Sequence, residues 1–178
     1  MKNRLHLRIF FIVALLFLFA VAVLPAIAGD LENRVKTAYV YNFTKFIEWP
    51  GEKSATEPIR ICFIGNDTLR TTVGELKNRQ VNGRSIKIVR FSDTGLTAPC
   101  DILYISRSEE HRLPQILERL AGAPVLTVSD IVQFSRRGGM IGFVTENERV
   151  KIEVNPRVLR QAGLKASAKL MEVARVTQ

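Results

Sequence analysis

The stretch DILYISRSEEHRLPQILERLAGAPVLTVS, Asp101 to Ser129, decides the fold. Asp101–Ser106 is rich in β-branched and aromatic residues and reads as a strand. Glu109–Leu120 reads as a helix with Pro114 near its start, where a missing N–H costs nothing, and Pro124–Val128 reads as strand again. Upstream, Ile59–Ile64 is a short apolar strand. Gly65-Asn66-Asp67 turns it into a helix running to about Lys77, Val81-Asn82-Gly83 is a turn signal, and Ile86, Ile88 and Phe91 lie on a further strand. Strand and helix therefore alternate from Ile59 to a helical turn at Ser129–Ser135, which predicts a single α/β domain with a mixed, mostly parallel sheet flanked by helices.

Downstream, Gly138-Gly139 opens a strand at Met140–Val144, and a polar turn, Thr145–Arg149, follows it. Val150, Ile152 and Val154 then alternate with Lys151 and Glu153, the period of a strand with one wet face. The resulting hairpin adds an antiparallel edge to the sheet. Asn155-Pro156 supplies an N-cap and a first helical residue for a C-terminal helical segment split at Gly163. At the other end, Asp30 is a candidate N-cap for a helix with Leu31, Val35, Tyr39, Phe43 and Phe46 at helical spacing, ending at Glu48-Trp49-Pro50. Asn42-Phe43-Thr44 matches a glycosylation acceptor by chance, because Phe43 lies on the packed stripe. Ser92–Pro99 is loop.

Residues 1–28 read as an address rather than as fold. Lys2, Arg4 and Arg8 precede an unbroken apolar run from Ile9 to Leu24, and Ala26-Ile27-Ala28 completes a secretory signal cut after Ala28. The alternative is a retained anchor, for which 16 apolar residues are short, since a span needs about 20. Cleavage takes three basic residues and no acidic ones, lowering the formal charge from +9 to +6 and leaving residues 29–178 as one domain. An exported basic protein meets no chromosomal DNA, so nucleic acid is not an expected partner. An acidic protein surface or anionic headgroups are the counterparts its charge suits, if it is more than a soluble basic surface. Export also places Cys62 and Cys100 where thiols oxidise, so the pair is expected as a disulfide, with two buried free thiols as the alternative.

Catalytic signatures are missing. His111 is the one histidine beyond the leader, in a charged helix start, and no H-x-x-x-H, C-x-x-C or G-x-S-x-G occurs. Gly138-Gly139 lacks the Lys-Ser/Thr of a phosphate loop, and Glu109-Glu110 has no apolar setting that would raise a carboxyl pKa. No catalytic residue, cofactor or metal site is expected. Ligands of open α/β sheets bind outside the carboxyl ends of the strands. Here those ends are Gly65-Asn66-Asp67, Ser106-Arg107-Ser108 and Ser129-Asp130, a candidate ligand or partner crevice. The same residue types also simply cap helices. Trp49 is a candidate interface anchor. Core packing is the commoner role for a lone Trp after an apolar helical face.

Three blocks carry a resemblance. They are Tyr41-Asn42-Phe43-Thr44-Lys45-Phe46-Ile47-Glu48-Trp49-Pro50; Gly138-Gly139-Met140-Ile141-Gly142-Phe143; and Ile152-Glu153-Val154-Asn155 followed by Ala162-Gly163-Leu164-Lys165 and Lys169-Leu170. In order and spacing they resemble the YfiR family of bacterial periplasmic proteins across essentially the whole chain after the leader. The resemblance implies a regulator rather than an enzyme, one that holds the periplasmic domain of an inner-membrane diguanylate cyclase inactive and so lowers cyclic di-GMP and biofilm formation. It also implies sequestration by an OmpA-like outer-membrane lipoprotein and a homodimer. Cys62 and Cys100 look like the family's bridge. The second cysteine pair that the well-known repressor carries near its late hairpin is absent, which removes any redox switch built on it. The alternative is a periplasmic small-molecule-binding sensor using the strand-end crevice.

Overall fold

A computed structural model describes residues 29–51, 54, 56–66, 68–91 and 98–177. The leader, Asp67 and most of the Ser92–Pro99 loop fall outside the described residues. The described residues form the α/β domain read from the sequence. In chain order, helix α1 (residues 29–46) leads to β1 (Ile47–Glu48), β2 (Ile59–Ile64), β3 (Gln80–Val81), β4 (Arg84–Phe91) and β5 (Ile102–Ile105). Helix α2 (Leu113–Arg119), β6 (Leu126–Ser129), β7 (Ile141–Glu146) and β8 (Arg149–Val154) follow. The chain then makes α3 (Pro156–Gln161), β9 (Lys165–Ala166), α4 (Ala168–Val173) and β10 (Arg175–Val176).

Among the described residues, eight strands form the main sheet in the order β10-β8-β7-β6-β5-β2-β4-β3. The stretch from β4 to β7 is parallel throughout. The β3–β4 and β7–β8 pairs are antiparallel hairpins. The central strands are apolar for the reason parallel strands usually are: both faces are covered. All four residues of β5 and all four of β6 are buried.

Alternate side chains of the strands feed two cores. Ile59, Ile61 and Phe63 of β2 point to a core shared with Val40 and Phe43 of α1, Leu159 of α3 and Leu170 of α4. Cys62 and Ile64 point the other way, into a core with Leu113 and Ile116 of α2, Ile131 and Phe134. On the first face Tyr39 and Phe43 meet Phe143 of β7 with ring centroids 6.0 and 6.1 Å apart, which clasps α1 to the late hairpin. Cys62 and Cys100 form the expected disulfide, tying β2 to the chain just before β5.

Several boundaries differ from expectation. The first helix ends at residue 46, not at Glu48, because Ile47-Glu48 pairs antiparallel with β9. Asp30 lies inside that helix, where it binds Arg34 at 2.9 Å. The expected helix from Gly65 to Lys77 is two 3-10 turns, Thr68–Arg70 and Val73–Asn78, and the first third of Glu109–Leu120 is likewise 3-10 (Arg107–Arg112). Short 3-10 segments place one buried residue every three, as Val73 and Leu76 show.

The late hairpin is not the edge of the sheet. β10 pairs parallel with β8 beyond it, so the chain ends on a strand rather than on the expected helix. Its capping was read correctly: Asn155 accepts a hydrogen bond from Val158 N, with Pro156 as the first helical residue.

Candidate functional site

In the parallel part of the sheet the chain runs from β2 out to β4, then returns to the other side of β2 for β5. The switch point where ligands usually settle therefore lies between the carboxyl ends of β2 and β5. Three of the expected crevice residues are there, and they are close-packed. Ser106 Oγ donates to the Asn66 carbonyl at 2.7 Å, and Asn66 N donates to Ser108 Oγ at 2.9 Å. Gly65 has φ +85°, and a Cβ on it would lie 2.6 Å from Glu109 Cγ and from Ser108 Oγ. Glu109 is buried at this seam and pairs with Arg112. Side chains of the turn after β5 thus occupy the space a ligand would need.

One strand further along, the carboxyl end of β6 opens into a cavity of about 370 Å³. Ser129 buttresses it, donating from Oγ to the Ile105 carbonyl at 2.6 Å and accepting from Ile131 N at 3.0 Å. Asp130 and Arg107 line it, and Arg107 donates to the Asp130 carbonyl at 2.9 Å. The remaining walls come from the first turns of α1, the turn after β6, the β7–β8 hairpin and β10, with Val132, Phe143 and Val144 as apolar surface.

Four carboxylates and four cations face this cavity, and the carboxylates are spoken for. Lys36 of α1 places Nζ 2.7 Å from Glu32 and 2.9 Å from Asp130, with only 5% of its side chain exposed. The Lys36 hydrogen bond, with a smaller one from Thr145, holds the Glu32 carboxyl below its ordinary pKa against the opposing effect of burial. Glu153 is buried, accepts from Ser135 Oγ at 2.9 Å and lies 3.7 Å from Arg175. Glu146 takes a two-pronged pair from Arg175 at 2.8 and 3.0 Å and a third bond from Lys151 at 2.9 Å. These bonds, Arg175 first, push its pKa down to about 2. Arg107 spends one N–H on the Asp130 carbonyl. The Arg136 side chain makes no hydrogen bond or ion pair among the described residues.

The sequence-derived crevice is therefore divided. Arg107 and Asp130 line the cavity and Ser129 supports it, whereas Gly65, Asn66 and Ser106 form a packed seam beside it. Lys36, Glu153 and Arg175 were not anticipated. A lysine in an amphipathic helix reads as solvated, and Glu153 stands in a pattern that assigns it to the wet face. The turn carrying Ser135 and the extra strand β10 cover that face, which sequence periodicity does not reveal. Trp49, the expected interface anchor, is half-buried against the first core, and its indole donates to the Asp101 carbonyl at 3.2 Å. His111 is exposed.

A sheet covered on both faces, with a charged cavity beyond the carboxyl ends of its strands, defines an α/β domain. Residues 33–175 match the YfiR/HmsC-like family, and the chain belongs to that family. At the level of the family, membership supports a periplasmic regulator of diguanylate cyclase signalling, acting by regulation rather than catalysis. No helix among the described residues is long and apolar enough to cross a membrane.

Proposed function

We propose that this protein is exported by a signal peptide cut after Ala28 and represses an inner-membrane diguanylate cyclase by binding its periplasmic domain. The family match over residues 33–175 carries the reading. Repression by contact is a population shift: the protein binds the inactive state of the cyclase's periplasmic domain more tightly than the active one, and the ratio of affinities sets the output. Lower cyclic di-GMP and reduced biofilm formation follow. The net positive charge after cleavage speeds encounter with an acidic partner surface. Sequestration by an OmpA-like outer-membrane lipoprotein, and a homodimer, belong to the same proposal and rest on the resemblance alone. Co-purification from membranes tests it. The protein retrieves a cyclase with a periplasmic domain if the reading holds, and retrieval of no such cyclase under mild detergent counts against it.

A second reading, a periplasmic small-molecule sensor, is favoured by one observation, the cavity at Asp130 and Arg107.

A further inference from the structure

We propose that this cavity binds a small organic anion, a carboxylate or a phosphate ester with an apolar body, through Arg107 and Arg136. The inference rests on the sensor reading and names its site and ligand class.

The argument is one of unspent charge. Every carboxylate facing the cavity already has a cation or hydroxyl on it: Glu32 and Asp130 share Lys36, Glu146 holds Arg175, and Glu153 holds Ser135. A cationic ligand would have to break one of these pairs, three of which involve buried groups. Two of the lining cations, both guanidinium groups, have no carboxylate on them. Arg107 uses one N–H on a backbone carbonyl, and Arg136 uses none among the described residues. A planar fork of N–H donors matches carboxylate and phosphate oxygens two at a time. The lining adds Val132, Phe143 and Val144, so the anion best suited carries an apolar group rather than being a bare ion. A cavity of about 370 Å³ lies at the small end of the range that encloses metabolite-sized ligands. It also touches α1 and the β7–β8 hairpin together, so a bound anion would brace two elements already joined by Tyr39 and Phe43 on Phe143 and by Thr145 on Glu32.

The test uses isotope-labelled protein purified from the periplasm, titrated separately with phenyl phosphate, phenylacetate, inorganic phosphate and the neutral 2-phenylethanol. Arg107 and Arg136 side-chain N–H signals are followed by NMR. The two aromatic anions are expected to shift both signals, with inorganic phosphate weaker and the alcohol inactive, and whichever aromatic anion is tighter identifies carboxylate or phosphate as the preferred head. Arg107→Ala and Arg136→Ala should each weaken binding about tenfold, the loss of one charge-assisted contact. Lys77→Ala, which removes a charge outside the cavity, should leave it unchanged. Equal binding of the alcohol, affinity undiminished in both arginine variants, or no binding by either aromatic anion overturns the inference. The sensor reading fails separately: anions that bind here yet leave cellular cyclic di-GMP unaltered would remove it while the site stands.

Discussion

Lys36 of the first helix and Asp130 at the end of β6, 94 positions apart in the chain, meet at 2.9 Å with 5% and 12% of their side chains exposed. Burying charge is costly unless it is paired, and Lys36, which also holds Glu32 at 2.7 Å, is the cation on Asp130. Lys36→Met should therefore cost about 3–5 kcal/mol by leaving Asp130 buried without its cation. Lys36→Met combined with Asp130→Asn should cost clearly less than that single change. Urea unfolding of the two singles and the double measures the coupling, and additive effects would mean the pair is solvated in solution.

The Cys62–Cys100 bridge closes a loop of sequence separation 38. In the chain-entropy account a loop of that length contributes about 4 kcal/mol, with engineered cases often lower. Cys62→Ser with Cys100→Ser should lower the denaturant midpoint accordingly. Calorimetry with and without reductant should reproduce the shift in the unsubstituted protein.

Gly139 packs against a ring. A Cβ at this position would stand 2.1 Å from Phe134 Cε1 and 2.4 Å from Cδ1 and Cζ, and Phe134 is fully buried in the second core. A ring wedged in a core cannot step aside as a flexible chain end does. Gly139→Ala should cost about 2–3 kcal/mol as overpacking. Gly139→Ala with Phe134→Leu should recover part of that loss, read as a rise in Tm over the single variant.

Glu146 ties the hairpin to β10 through Arg175, and its pKa lies at about 2 against an ordinary 4.5. A carboxylate whose folded pKa is depressed stabilises the fold fully above its unfolded pKa, and the contribution fades as pH falls through the folded value. The tie should thus persist at pH 4 and be lost towards pH 2. An NMR titration of the Glu146 carboxyl carbon should find its midpoint well below those of exposed glutamates. Glu146→Gln should remove that part of the acid dependence.

The legible parts of the fold were those governed by local rules. The bounds of Ile59–Ile64 are legible because five of its six residues are apolar and Pro58 and Gly65 flank them. The turn at Asn82-Gly83 was readable because both residues adopt positive φ, which those types favour. The corresponding hairpin turn at Asn147-Glu148 also has positive φ at both positions, but Glu is an unusual residue there, so the polar run Thr145–Arg149 does not mark the turn's two residues. Short strands β9 and β10 carry two residues each and exist only because a partner strand lies alongside, at Ile47-Glu48 and at Glu153-Val154. Of the site, Arg107, Ser129 and Asp130 followed from the rule that parallel strands present ligands at their carboxyl ends. Lys36, Arg136 and Arg175 come from other elements, and only the tertiary fold assembles them.

The central claim, repression of a membrane cyclase, is tested most directly by deleting the gene and measuring cellular cyclic di-GMP, with surface attachment scored in parallel. The account predicts that both rise and that the unsubstituted gene restores them. Unchanged cyclic di-GMP in the deletion strain, with the protein verified as abundant in the parent, would contradict it.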